Sequence, residues 1–467
     1  MKKIAMIGLF MGFAHASLDS VQTLAQSKDT STRGIFPTIQ VESFNKFALG
    51  GDKISPTESY GYMLGTLGLE LRAALESGSI QVGLGGAGAG LAQDSTRRGD
   101  NLGYNYVGFN PSYDGTGTPT ALNTRNYYIH NAYFALTQDR GKSAYSLSLG
   151  RFSYDDGDYV NGFVEGGKLG YSLKLTDSGI FYTELAAISS IALLGDGFFW
   201  DYSRANVPRG LLSGKLGFAQ LFGNGSSLAI HAFYYYGISE YSAPGLNARY
   251  ETNSAASESS GFNATTRLNV VLPIYDRLYM KVPVLLGSFL RDENGREEGL
   301  TTTIMLKQDL DFYKERSSYN LALAMQQNIG LSHARLGFFG SPLGVNIWDN
   351  SVYATGSSLN AIVYKDAFSA LFFTKASFDR EFLGYKNRYD IGLDGRYTTA
   401  PAADEYSLKL TLDMSINKLL TLSLIANYYT SIYRHSGVLN PDFAPQNIAP
   451  NTAINRSYVM TKLAMKF

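Results

Sequence analysis

The 467-residue chain balances 40 Lys and Arg against 40 Asp and Glu, has no cysteine, and carries 33 Tyr and 27 Phe beside two Trp. Zero net charge excludes a strongly basic nucleic-acid binder. The missing thiols exclude disulfides, a cysteine nucleophile and thiolate-held zinc or iron–sulfur clusters, and a mean hydropathy of −0.11 excludes a bundle of membrane helices.

The chain opens with a basic Lys2-Lys3, an uncharged apolar run from Ile4 to Ala14, and Ala14-His15-Ala16. That is the n-region, h-region and small-x-small site of a secretory signal peptide, with the mature protein starting near Ser17. The run is too short to span a bilayer as an anchor, and no cysteine follows for lipidation. Residues 17–33 read as a short periplasmic segment ahead of one barrel domain over 34–467. Beyond residue 16 no stretch of eighteen apolar residues occurs, so no transmembrane helix is expected.

From residue 34 onward one theme repeats: ten to fifteen residues of alternating polarity, then a turn. The segments are 34–48, 60–76, 79–92, 125–138, 143–153, 162–176, 180–191, 210–222, 226–239, 260–273, 278–290, 300–312, 318–330, 356–366, 369–380, 386–397, 405–416, 419–433 and 456–467. Several pairs are joined by hairpin chemistry such as Ser77-Gly78, Asp177-Ser178, Gly223-Asn-Gly225 and Asn417-Lys418. The stretches 93–124, 192–209, 240–259, 331–355 and 434–455 are polar and irregular and read as loops. Short turns at one end and long loops at the other are the mark of an antiparallel transmembrane β-barrel. A soluble propeller or sandwich also has many strands, but does not need them so long and so uniformly two-faced. Nineteen segments conflict with the even strand number of bacterial barrels. One segment between 331 and 405 is therefore superfluous, and eighteen strands are expected, with sixteen and twenty as the alternatives.

Within each segment one row is greasy and the other is not. In 406–416, Leu408, Leu410, Leu412, Met414 and Ile416 share a face against Lys409, Thr411 and Asp413. Arg or Lys facing lipid at mid-membrane costs about 2–4 kcal/mol, so the greasy rows face lipid. The opposite rows then point inward. They carry the bases Arg72, Lys168, Lys174, Lys215, Arg267, Lys281, Lys307, Lys375, Arg388, Arg396, Lys409, Lys462 and Lys466. Their acids are Glu70, Glu76, Glu184, Asp309, Asp311, Asp390, Asp394 and Asp413. So many charges need a wide, wet lumen. Tyrosines near segment ends (Tyr127, Tyr128, Tyr234, Tyr235, Tyr236, Tyr428, Tyr429, Tyr433) read as interfacial girdles.

Motifs of enzymes fail on context. Gly83-Leu-Gly-Gly-Ala-Gly88 matches GxGxxG without a following helix, so its glycines make room for neighbours instead of binding a nucleotide. Gly162 to Lys168 lacks the Ser/Thr of a phosphate loop, and the scattered histidines have no metal spacing. Tyr154-Asp155-Asp156-Gly157-Asp158-Tyr159 is the densest acidic cluster. It reads as a surface loop, a Ca²⁺ loop, or an acidic constriction loop folded into the pore after the fifth strand.

The chain ends Tyr458-Val-Met-Thr-Lys-Leu-Ala-Met-Lys-Phe467, a two-faced strand closed by an aromatic residue. It resembles the assembly signal of outer-membrane barrels, with Phe467 as the signal residue. With its size and Tyr-rich, cysteine-free strands such as Ser146-Leu-Ser-Leu-Gly-Arg-Phe152, the mature chain resembles the Helicobacter-type Hof family of ε-proteobacterial porin-like proteins. It is more distantly similar to OprD-type channels. The latter resemblance implies eighteen strands, a basic ladder in the lumen and uptake of small, often carboxylate-bearing solutes. The expected function is a passive porin weakly favouring anionic solutes, with no enzyme activity and no cofactor. Expected partners are outer-membrane lipid, lipopolysaccharide, the barrel-assembly machinery and small hydrophilic solutes. The alternative is a surface adhesin or structural outer-membrane protein whose long loops contact host or matrix ligands, and a third reading is an outer-membrane enzyme.

Overall fold

In the computed structural model, the described residues are 33–49, 59–94, 106–113, 119–204, 209–239, 241–256, 260–275, 299–330, 340–345, 361–363, 365–382, 384–401, 403–417, 419–434, 437–439 and 446–467. The signal segment, Lys281 and the segment 278–290 lie outside them.

Eighteen long strands form the wall. They are β1 (Gly34–Ala48), β2 (Tyr60–Leu75), β3 (Gly78–Asp94), β4 (Tyr127–Asp139), β5 (Ser143–Asp155), β6 (Asn161–Lys174), β7 (Gly179–Gly195), β8 (Leu211–Leu221) and β9 (Ser227–Gly237). The ring continues with β10 (Tyr241–Glu251), β11 (Phe262–Val271), β12 (Thr301–Lys314), β13 (Ser317–Gly330), β14 (Phe368–Phe382), β15 (Tyr385–Thr399), β16 (Ala403–Ile416), β17 (Leu420–Tyr433) and β18 (Tyr458–Lys466). Each pairs antiparallel with the next, and β18 returns to β1 with Gln40 opposite Lys466 and Ala48 opposite Tyr458. The ring is closed, so no unpaired sheet edge meets the bilayer. The backbones of Phe467 and Ile39 exchange two hydrogen bonds, of 2.8 and 3.1 Å, at this seam.

Alternation sets the faces. Leu67, Leu69 and Leu71 on β2 and Leu408, Leu410, Leu422 and Leu424 on β16 and β17 are exposed at 37% or more, while their sequence neighbours are more covered. An exposed apolar band around a whole ring is the surface that lipid covers. Aromatic pairs decorate it near both ends. Phe262 with Phe312 and Phe378 with Tyr389 lie towards the short-turn end, and Tyr397 with Tyr406 towards the other.

The structure differs from the sequence expectation in four places. Segment 240–259 holds barrel strand β10. Its Pro244, Gly245 and Asn247 dilute the alternation, leaving Leu246 and Tyr250 as its large exposed apolar residues. Of 356–366, the described parts are a short 3-10 turn at Ala361–Val363 and a turn at 365–366. Its apolar side chains Ile362 and Val363 are buried, and the Ile362 carbonyl accepts hydrogen bonds from Gln326 and Asn328 on β13. The tyrosine runs do not all face lipid. Tyr127, Tyr234 and Tyr428 are exposed, whereas Tyr128, Tyr235 and Tyr429 are buried and donate to Leu193 O, Asp156 Oδ2 and Glu405 Oε1. Finally, links at the loop end are not uniformly long: 156–160, 238–240 and 400–402 are short.

The glycines of β3 do make room. A Cβ on Gly83 would lie 2.2 Å from the Tyr133 ring, and one on Gly85 would lie 2.7 Å from His130.

Candidate functional site: the charged interior

Among the described residues, two of the connections that fold into the ring carry acids at their tips. The first is the link 156–160 after β5, the fifth strand. Asp158 accepts from Lys215 Nζ at 2.7 Å (β8) and from Asn247 Nδ2 at 2.7 Å (β10), and lies 2.9 Å from His231 Nε2 (β9). Asp156 caps its own turn, accepting from the backbone of Asp158 and Val160, and receives the Tyr235 hydroxyl. Tyr159 donates to Asn269 on β11 at 2.8 Å. Burial pushes both carboxyls up. For Asp158, Lys215 and His231 outweigh burial and hold it well below the usual carboxylate range. Asp156, beside a second carboxylate, stays raised. Asp155 does not join them: it is exposed, on the outer parity of β5, and accepts from Gly157 N. Its assignment to a constriction is corrected on that geometry.

The second inward piece is the hairpin formed by the end of β7 and the short strand Phe198–Ser203. Its tip reaches strands five and seven places away around the ring. Tyr60 on β2 donates to Gly197 O at 2.9 Å, Gly197 N donates to Tyr62 at 3.2 Å, and Asp196 pairs with Lys462 on β18 at 2.5 Å. Phe198 and Phe199 pack against Tyr106 and Tyr128. A contact between such distant strands can only run through the interior. Beside the hairpin lies a cavity of about 960 Å³ lined by Arg125, Arg151, Glu165, Asp201 and Tyr202 among others. Its charges pair as Arg125 with Asp201 and Arg151 with Glu165.

Many of the inner charges expected from sequence form ion pairs, some along one strand and some across neighbouring strands. Arg72 meets Glu70, and Lys168 meets Glu184 at 2.8 Å. Arg267 and Lys307 share Asp309 at 3.5 and 3.2 Å, with Lys307 also donating to Leu343 O. Asp311 accepts from Asn320. Arg396 and Glu405 are buried together at 3.1 Å. Lys375 and Arg388 flank Asp390 at 3.2 and 3.3 Å, and Lys409 meets Asp394 at 3.4 Å. Asp413 stands opposite Asp390 in register. Lys174 and Lys466 lie exposed at the short-turn end.

Exposure is uneven around the ring. On β8 to β12 the side chains of Lys215, Arg267, Lys307 and Asp309 are no more than 14% exposed, covered by the link and by segment 340–345. On β14 and β15, Lys375 and Arg388 are 54% exposed. Sequence reasoning missed Asp196, Glu42, Asp201 and the lumenal role of Tyr235. Each acts through partners distant in sequence, which no local pattern encodes.

The closed ring, its lipid-type outer band and its charged interior define an outer-membrane β-barrel. The chain belongs to the family described as "Putative outer membrane protein", whose model matches residues 16–467. No curated protein matches the sequence. Among solved structures, the chain is similar to OccAB1 of Acinetobacter baumannii, with a TM-score of 0.57 at 10% identity over 94% of this chain and 99% of that one. OccAB4 of the same organism gives 0.56 at 11%, covering 94% and 100%. OpdK of Pseudomonas aeruginosa with vanillate gives 0.53 at 10%, covering 93% and 98%. At these identities the likeness concerns the fold.

Proposed function

We propose that the protein is a passive diffusion channel for small hydrophilic solutes, weakly favouring anionic or carboxylate-bearing ones, and not an enzyme. The observation that supports this is the exposed, charged inner face of β14 to β16, where Lys375, Arg388 and Lys409 stand among Asp390, Asp394 and Asp413. Charges kept wet inside a closed ring act on passing ions, and no covalent step is needed. The acidic link does not oppose the preference, because Lys215 already compensates Asp158. The vanillate of the OpdK structure is a small carboxylate and agrees with this substrate class.

Residues 1–16 serve as the export signal, 17–33 precede the barrel in the periplasm, and Phe467 takes part in assembly by the barrel machinery amid lipid and lipopolysaccharide. The Hof-type relationship within ε-proteobacteria belongs to the same reading. Planar-bilayer recording of the purified mature protein tests it. Stepwise conductance in KCl is expected, and its absence from correctly folded barrel would refute the channel.

A further inference from the structure

Lys462, like Lys215, takes its acid partner from a piece folded into the interior, but where the Lys215–Asp158 pair is buried, this one is open to water. Lys168, Arg267, Lys375, Arg388, Arg396 and Lys409 meet acids on strands beside them or on their own strand. Lys462 meets Asp196, at the tip of the hairpin that crosses the interior from β7. The pair is also wet: the Asp196 side chain is 76% exposed and that of Lys462 27%. Ion pairs in such surroundings are weak and exchange readily.

The hairpin does not depend on this pair for its position. Gly197 is held by Tyr60 and Tyr62, Phe198 and Phe199 are buried in the aromatic cluster, and Tyr202 donates to His130 O at 2.7 Å. Gly195 and Gly197 take positive φ of +90° and +98°, and Asp196 itself takes +53°. Asn tolerates that conformation as Asp does, so Asp196→Asn removes the charge and keeps the turn.

We propose that Asp196 is a resident counter-ion that competes with solute carboxylates for Lys462, so that this pair sets how strongly the channel selects anionic solutes. The proposal rests on the channel reading above. A carboxylate reaching Lys462 displaces Asp196 without moving the hairpin, because the anchors of the hairpin lie elsewhere. Without the Asp196 charge, Lys462 loses its nearest competitor and keeps only the weaker pull of Glu42 and Asp413.

The test is planar-bilayer recording of native protein, Asp196→Asn, Lys462→Met and the double variant, reading reversal potential in a KCl gradient and the benzoate concentration that halves the KCl current. Asp196→Asn should raise anion selectivity and lower the half-blocking benzoate concentration by about threefold, the scale of one exposed pair. Lys462→Met should abolish that difference, and Asp196→Glu should restore native behaviour. The gap between native and Asp196→Asn should also shrink as salt rises, which a merely loosened hairpin would not reproduce. A conducting native channel whose two readouts are unmoved by Asp196→Asn overturns this inference alone. A folded native barrel that does not conduct overturns the channel reading itself.

Discussion

Asp158 lies 2.7 Å from Lys215 although 57 residues separate them, and both side chains are almost fully buried. The link between β5 and β6 is thereby pinned to β8, two strands further round the ring. Removing one member of a buried pair strands the other charge and costs about 3–5 kcal/mol. Lys215→Met should therefore lower the temperature at which the barrel loses its folded electrophoretic mobility. Lys174→Met, at an exposed position, should leave that temperature unchanged. Equal behaviour of the two variants would mean that the pin contributes nothing.

The pin should also resist acid. Asp158, with its carboxyl held below the usual range, contributes stability above the unfolded value of about 4 and loses it only as pH falls through the lower folded value. Asp156 is raised, so falling pH gives it a proton that burial favours, which adds stability. Neither sign loosens the link between pH 7 and pH 4. Conductance and current noise measured across that range should stay constant. A stepwise rise in conductance near pH 5 would contradict the assignment.

Facing was legible because the period-2 pattern is local: Leu408 and Leu410 against Lys409 need no knowledge of the rest of the chain. The acidic trio stood out in the sequence, but its local pattern left a surface loop, a Ca²⁺ loop and an inward loop open, because the partners Lys215, His231 and Asn247 lie on later strands. Strand β10 was hidden because Pro244 interrupts its outer row and Gly245 its inner one. The hairpin was hidden because Asp196 and Lys462 meet across 266 residues, a relation set by ring closure and not by neighbouring sequence.

Facing can be tested on a chain that has no native thiol. A membrane-impermeant thiol reagent should modify Arg388→Cys and Lys409→Cys quickly, Arg396→Cys slowly, and Leu410→Cys and Leu422→Cys not at all in lipid. Arg396 is slow because its side chain is only 7% exposed beside Glu405. Rapid labelling at 410 and 422 would shift the register by one residue.

Closure predicts a role for the last residue. Phe467 exchanges two backbone hydrogen bonds with Ile39, and its ring is 64% exposed. Deleting it removes both bonds at the seam, each worth about 1 kcal/mol net, and the terminal aromatic. Folding into liposomes, followed by heat-modifiable mobility, should slow for the deletion. Phe467→Tyr, which keeps backbone and aromatic, should fold at the native rate.

The final prediction separates two arginines that the sequence ranks alike. Arg388 is 54% exposed on the inner face, whereas Arg396 is buried against Glu405. A unit charge roughly 7 Å from an ion in water contributes about 0.6 kcal/mol, or about threefold in a permeability ratio. Arg388→Ala should accordingly lower chloride-over-potassium selectivity by up to that factor, seen as a shift in reversal potential in a KCl gradient. Screening should erase the shift as salt rises towards 1 M, where the Debye length is about 3 Å. Arg396→Ala should move selectivity less and stability more, because it leaves Glu405 buried without its arginine. Strong cation selectivity in the native channel, unmoved by Arg388→Ala, would show that the exposed face of β14 to β16 does not set the field an ion meets.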